Sequence, residues 1–211
     1  MSNRGDGNAP PSANDSLFFT RTTRLNNTNN FTAGTTFNGI TFNSPSGAFV
    51  LRGNPITLGG GITNNQGLTL QTINLPLALS ATRNVDVVTD ASLTVGGVVS
   101  GAGGINKTGG GLLTLTGVNT FSGPVAINAG TVSVASDANL GAAPGSATPG
   151  SILINGGTAQ PTASFALSAN RGIVLGPTSG SGDGTFDIAS GITLTYGGVA
   201  ANNGGATGGL M

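Results

Sequence analysis

Histidine, cysteine, tryptophan and glutamate do not occur among the 211 residues, and every acid is an aspartate. Without imidazole or glutamate, general acid–base chemistry would fall to a tuned Asp. The lack of cysteine excludes disulfides but leaves the compartment open, because secreted folds without disulfides are common. Charge is scarce as well: seven Lys and Arg stand against seven Asp, the net charge is zero, and Lys107 is the only lysine. With no basic cluster there is little attraction for a phosphate backbone, so nucleic acid is excluded as a partner. No apolar run approaches the ~20 residues of a membrane helix, and no direct membrane insertion is expected. The opening MSNRGDGNAPPSANDS is polar where a signal peptide would carry an apolar core.

What the chain does have is glycine, 38 residues of it, together with 37% apolar residues. So much glycine with so little charge would suit a disordered polymer, but the apolar residues fall in period-two runs, which points to a buried core. The clearest stretch is 101–141, GAGGINKTGGGLLTLTGVNTFSGPVAINAGTVSVASDANLG. Leu113 and Leu115, Val125 and Ile127, and Val132 and Val134 are spaced by two. In extended chain each pair points inward while Thr114, Ala126 and Ser133 point away. The turns TGVNTFSG and NAG are too short for a crossover helix, so the chain is expected to coil on itself strand by strand.

Internal repeats support that reading. LALSATR at 77–83 lies over FALSANR at 165–171, a register of 88, and VDVVTDASLTVGGV at 85–98 lies over FDIASGITLTYGGV at 186–199, a register of 101. The difference is carried as an enlarged polar loop around GPTSGSGDG. GGIN at 103–106 then lies over GGLM at 208–211. A finer register of 27 relates VAINAGT at 125–131 to ILINGGT at 152–158. Coils of roughly 20 to 30 residues are the sequence signature of a β-solenoid. About seven to ten of them, stacked at ~4.8 Å, make a rod roughly 35 to 45 Å long. The expected organisation is a flexible polar tail at 1–16 and one β-helix segment at 17–211. Its repeat motif is at 101–141, and a truncated second copy begins at 204–211. The chain reads as a piece of a larger array whose partners are adjacent β-helix repeats of a parent protein.

The lead GAGGINKTGGG, the strand LLTLTG, the turn VNTFSG, the strand VAINAGTVSV and the closing DANLG resemble the autotransporter-associated β-strand repeat, also called the passenger-associated transport repeat. The flanks NNFTAGTTFNGITFNSPSGAFVLRG at 29–53 and ALSANRGIVLGP at 166–177 resemble segments around that repeat in long bacterial surface proteins. The resemblance implies an all-β, right-handed, single-stranded parallel β-helix, secreted or held at the cell surface in association with the outer membrane, and serving as stalk or adhesive scaffold without catalysis. The alternatives are a β-helical enzyme acting on polysaccharide and a ligand- or ice-binding solenoid module. Pro124 and Val125 stand where the family tends to have Gly and Thr. Proline is tolerated at a strand start, so the fold is expected to accept it.

No residue is assigned as catalytic, cofactor-binding or metal-binding, and no cofactor is expected. Arg4-Gly5-Asp6 spells an integrin-type tripeptide, too short to carry a function by itself. Gly180-Ser181-Gly182-Asp183-Gly184 lacks the recurrence of a calcium β-roll, and a single Asp falls short of the oxygens calcium takes. Asp86 and Asp90, or Asp183 and Asp187, would lie ~13 Å apart in extended chain, beyond glycosidase carboxylate spacings. Lys107 reads as a solvated residue in a Gly-rich turn. Thr114 with Thr116, and Thr193 with Thr195, are Thr-x-Thr pairs of the kind that build flat outward ladders, explained equally by strand propensity. Asn119, Asn128 and Asn155 read as turn residues. Phe121 and Phe165 are expected inside the coil and Tyr196 in the place of Val95. A surface or carbohydrate ligand has no localised site, because exposed aromatics are lacking. An enzyme would bring Asp and Arg of successive coils together in a groove, whereas a spacer would show scattered charges and Thr or Asn ladders.

Overall fold

In the computed structural model, which describes residues 11–178 and 183–204, the chain is a parallel β-solenoid with three strands per full coil. One face is a nine-stranded parallel sheet running from Ser16–Phe19 to Ala200–Asn202. A second, of eight strands, runs from Asn26–Asn29 to Thr185–Phe186. The third face carries four strands, from Thr35–Phe37 to Val99–Ser100, and further on a pair, Phe165–Leu167 with Leu194–Tyr196. Nine rungs at ~4.8 Å make a stack about 38 Å long. Register partners on the first face are 22 residues apart at Ile40 and Ile62, 20 at Ile105 and Val125, and 27 at Val125 and Ile152. Only one short 3-10 turn, Asp137–Leu140, interrupts the strands among the described residues.

Each strand is short because it must turn a corner after three or four residues, and inward and outward side chains alternate along it. Leu113, Leu115, Val125, Ile127, Val132 and Val134 are all buried, as their spacing predicts. They come from two faces and meet inside the tube: Leu112–Leu115 and Thr131–Val134 are neighbours in the second sheet, while Val125–Ile127 belongs to the first. Each rung sets like side chains on like, so the inside is a set of apolar columns. One column on the first face reads Leu17, Ile40, Ile62, Val85, Lys107, Ile127, Ile154, Leu175. Towards the N-terminal end aromatics fill the tube. Phe19 packs on Phe42 at 5.2 Å between ring centroids and on Phe49 at 5.1 Å, all three fully buried. Phe121 is likewise buried, whereas Phe165 and Tyr196 lie partly buried against the core.

Corners explain the glycines. Gly109 and Gly130 close equivalent corners of successive coils with φ +71° and +63°. A Cβ on Gly109 would come within 2.3 Å of the Val87 carbonyl oxygen below it. Gly109→Ala is therefore expected to cost about 1–3 kcal/mol, from left-handed strain together with loss of close coil approach, read as an earlier midpoint in urea. Pro124 fits as expected. It immediately precedes the strand Val125–Ile127, and its carbonyl accepts a 2.9 Å hydrogen bond from Ile105 N–H.

Two of the three sequence registers are structural equivalences. At 27 residues, Val125 pairs with Ile152 and Thr131 with Thr158. At 88, Leu77–Leu79 and Phe165–Leu167 both lie on the third face, and Arg83 and Arg171 both open the next first-face strand. The register of 101 is not one. Ser92–Val95 lies on the second face, but Leu194–Tyr196 lies on the third, where Tyr196 pairs with Leu167 and not in the place of Val95. The long connection from Leu175 to Thr185 displaces the later segment by one face. The likeness reports alternation followed by a Gly-Gly corner, which recurs on every face. The match of 208–211 to 103–106 lies outside the described residues. At the other end Ser16 already pairs with Gly39, and Asn14 N–H donates to the Thr36 carbonyl at 2.7 Å.

Candidate functional site

Four groups of polar side chains stand out among the described residues. The first corrects the sequence reading of Lys107. Ile105–Thr108 is a strand and not part of a glycine turn, and alternation sends Lys107 inward between Val85 and Ile127, fully buried. Its Nζ reaches the corner and donates to the carbonyls of Thr108 at 2.7 Å, Gly109 at 2.6 Å and Ala129 of the next coil at 3.4 Å. Burial pushes the amine down from its ordinary 10.5 to about 8, opposed by the charge of nearby Asp86. In INKT the only apolar residue is Ile105, two before Lys107, so a single neighbour marked the inward side. The register of Lys107 with Val85 and Ile127 would have placed it there.

The second group is an asparagine ladder along the first face. Asn106 Nδ2 donates to Asn84 Oδ1 at 2.8 Å, Asn128 Nδ2 to Asn106 Oδ1, and Asn155 Nδ2 to Asn128 Oδ1 at 3.4 Å. Asn128 and Asn155 thus act between coils as well as within turns. Asn119 is buried: its Oδ1 accepts from Val99 N–H at 2.8 Å and its Nδ2 donates to the Asn139 carbonyl at 2.6 Å.

The third group is Arg171 with Asp137. Arg171 is 2% exposed. Its Nε donates to Asp137 Oδ1 at 2.7 Å and its Nη2 to Oδ2 at 3.1 Å, a bidentate pair across 34 residues. The same guanidinium donates to the carbonyls of Leu140 at 3.1 Å and Gly141 at 2.7 Å. It holds the short 3-10 turn against the rung that follows.

The fourth group is an open groove of about 610 Å³ lined by Gly60, Gly61, Thr63, Thr82, Arg83, Asn84, Asp86 and Thr108. At its Gly60–Gly61 corner the coils approach closely, since a Cβ on Gly60 would come within 1.7 Å of the Asn38 carbonyl oxygen. Thr108 Oγ1 donates to Asp86 Oδ1 at 3.0 Å.

Residues 105–134, which hold the buried lysine and two rungs of the ladder, match the family model of the passenger-associated transport repeat. The chain carries a passenger-associated transport repeat. This repeat chain is also 31% identical over 184 residues to the adhesin BmaC autotransporter of Brucella suis biovar 1 (strain 1330). That alignment covers 76% of the chain but 5% of the relative, so the chain spans a small part of the relative's length. No solved structure matches it.

Of the aspartates weighed in the sequence, only Asp86 lines the groove. Asp86 lies on a strand with its oxygen on Thr108, and Asp90 is exposed at a turn with φ +64°. Asp183 and Asp187 are exposed, and Asp187 accepts from Gln160 at 2.8 Å. Among the described residues the Asp–Arg convergence across coils is the Asp137–Arg171 pair, whose guanidinium is buried while the Asp137 side chain is 24% exposed, and neither residue lines the groove. Among the described residues, no group of three or more Asp could hold a metal, and no helix is long and apolar enough to cross a membrane. Thr72, Thr94 and Thr114 do stack in one outward column, but Thr116, the other member of the pair, stacks beside Gly96 and Asn74 of the preceding coils. Thr195 pairs with Ala166 on another face. The two-column threonine array of an ice-binding surface is thus not formed by these residues. Arg4, Gly5 and Asp6, and Gly180, Ser181 and Gly182, lie outside the described residues.

Proposed function

We propose that the chain is a stiff, non-catalytic segment of a secreted or surface-exposed bacterial passenger, a stalk that extends and presents the rest of its parent protein. The observation behind this is the use of the polar side chains. Lys107, Arg171, Asp137, Asn119 and the ladder from Asn84 to Asn155 bond to backbone or to each other between coils. Groups so engaged stiffen the stack. The passenger repeat at 105–134 and the likeness to an autotransporter adhesin support surface exposure and export in the same reading. The parent's adjacent β-helix repeats are the natural neighbours, because repeat coils of a solenoid stack on one another.

The test is made in the parent protein displayed on cells. Excising residues 16–202 is expected to bring a distal tag closer to the membrane by about 43 Å, nine rungs at ~4.8 Å, read by energy transfer from the tag to a membrane dye. Unchanged distance would sink the stalk reading. Release of reducing ends from polysaccharide by the purified chain, lost in Asp86→Asn or Asp187→Asn, would replace it with the enzyme.

A further inference from the structure

We propose that the first coil of the solenoid is an acceptor for asparagine-linked sugar, carried on Asn26 and Asn30. Four Asn-x-Ser/Thr triplets with x other than proline occur in the chain: Asn14-Asp15-Ser16, Asn26-Asn27-Thr28, Asn30-Phe31-Thr32 and Asn106-Lys107-Thr108. Such a triplet is the signal for transfer of sugar to the asparagine amide, and it works only at a surface, where amide and hydroxyl can be reached. The structure sorts the four. Residues 26–30 read NNTNN, and an extended chain sends alternate residues to opposite sides. The two asparagines with a hydroxyl two residues on, Asn26 and Asn30, are exposed, as are Thr28 and Thr32. Among the described residues neither amide side chain makes a hydrogen bond. The two asparagines outside the pattern are engaged: Asn27 Nδ2 donates to the Arg24 carbonyl at 3.0 Å, and Asn29, 1% exposed, donates to the Asn54 carbonyl at 2.7 Å.

The triplet at Asn106 is closed by the same tests. Asn106 Nδ2 donates to Asn84 at 2.8 Å, its Oδ1 accepts from Asn128, and the Thr108 hydroxyl donates to Asp86 at 3.0 Å, with Lys107 buried between them. The strand Ile105–Thr108 has a neighbour on each side, Arg83–Val87 and Val125–Ile127, so a transferase cannot draw it into a cleft without opening the sheet. Among the described residues Asn26–Asn29 is paired on one side only, with Val50–Gly53, and residues 30–32 lie in the connection to Thr35–Phe37. Phe31 packs on Phe37 at 5.4 Å between ring centroids and anchors that connection while its neighbours stay exposed. Asn14 and Ser16, exposed at the turn into the first strand, add a third open triplet. The reaction joins the asparagine Nδ2 to C1 of a sugar carried as a diphosphate ester. The C1–O bond breaks, the diphosphate leaves with its carrier, and one amide proton passes to a base of the transferase. Sugar on the first coil touches neither the asparagine ladder nor the Asp137–Arg171 pair, so the site is independent of the stalk role.

For the test, the parent protein is taken from the surface of the cells that make it and cut after arginine and lysine, which yields peptides 5–21, 25–52 and 84–107. Mass spectrometry with fragmentation that keeps sugar attached is expected to find added sugar on Asn26 and Asn30 in peptide 25–52 and none on Asn106 in peptide 84–107. A single sugar points to a nucleotide carrier and a preassembled chain to a lipid carrier, and both support the proposal. Thr32→Ala removes the hydroxyl and leaves Asn30 in place, so sugar at Asn30 is expected to be lost, and Thr32→Ser is expected to restore it. The Thr32 hydroxyl makes no hydrogen bond among the described residues, so the β circular dichroism of both variants is expected to match that of the native chain. Bare amides at both Asn26 and Asn30 overturn the proposal, as does sugar on Asn106 at the level of Asn30. Sugar that survives at Asn30 in Thr32→Ala, or that sits on the Thr28 or Thr32 hydroxyl in place of the amides, overturns it as well.

Discussion

Asp137→Ala is expected to destabilise the coil stack by about 3–5 kcal/mol, the cost of leaving one member of a buried ion pair alone. Arg171 is 2% exposed and cannot rotate into water without opening the corner it sits under. Asp137 does more than neutralise it, since its Oδ1 also accepts from Ser168 N–H at 3.0 Å. The loss therefore reaches the third-face strand Phe165–Leu167, which ends one residue before Ser168. Urea unfolding followed by circular dichroism measures the effect. The double variant Asp137→Ala with Arg171→Met is expected to be more stable than Asp137→Ala alone, because an apolar side chain then replaces the stranded charge. If Asp137→Ala unfolds within a few tenths of a kcal/mol of the native chain, the pair does not hold the corner.

The second large effect is on pH. The unfolded chain keeps its Lys107 proton up to about 10.5, whereas the folded one releases it near 8. Between those values the unfolded state binds more protons, so stability rises with pH across the window. The rise amounts to about 3 kcal/mol for Lys107, and below pH 8 the fold bears the full cost of the buried cation. Lys107→Met keeps most of the side-chain volume and removes the titration. The measurement is therefore the difference in unfolding free energy between the native chain and Lys107→Met at pH 7.5 and pH 10.5. The native chain gains on the variant as pH rises. A difference that stays flat would mean that the three corner carbonyls fully offset the desolvation.

Much of this molecule is legible without coordinates, and for a physical reason. Alternation of apolar residues, glycine at left-handed corners and a coil of 20 to 27 residues are local properties of the chain. Leu113, Val125 and Val132 fell inside where their spacing placed them, and Gly109 and Gly130 turn corners as their neighbours require. Lys107 was misplaced because a four-residue strand with one apolar residue, Ile105, carries only a weak periodic signal. Its inward side is clear only once Val85 below it and Ile127 above it are known to be in register. The 101-residue register misled in the opposite way, since every face of a solenoid repeats the same short pattern and a longer connection after Leu175 moves a segment from one face to the next.

The sequence by itself determined the strands, the corners, the approximate coil length and the likeness to the passenger-associated transport repeat, because each is written in spacings of a few residues. Only the tertiary structure decided which face each strand occupies and which polar groups meet. Asp137 and Arg171 are joined across 34 residues, and the asparagine ladder links positions 22 and 27 residues apart. The groove beside Arg83 is likewise made by residues of three successive coils. Such contacts depend on the exact length of each connection summed around the coil, a quantity that no local pattern carries.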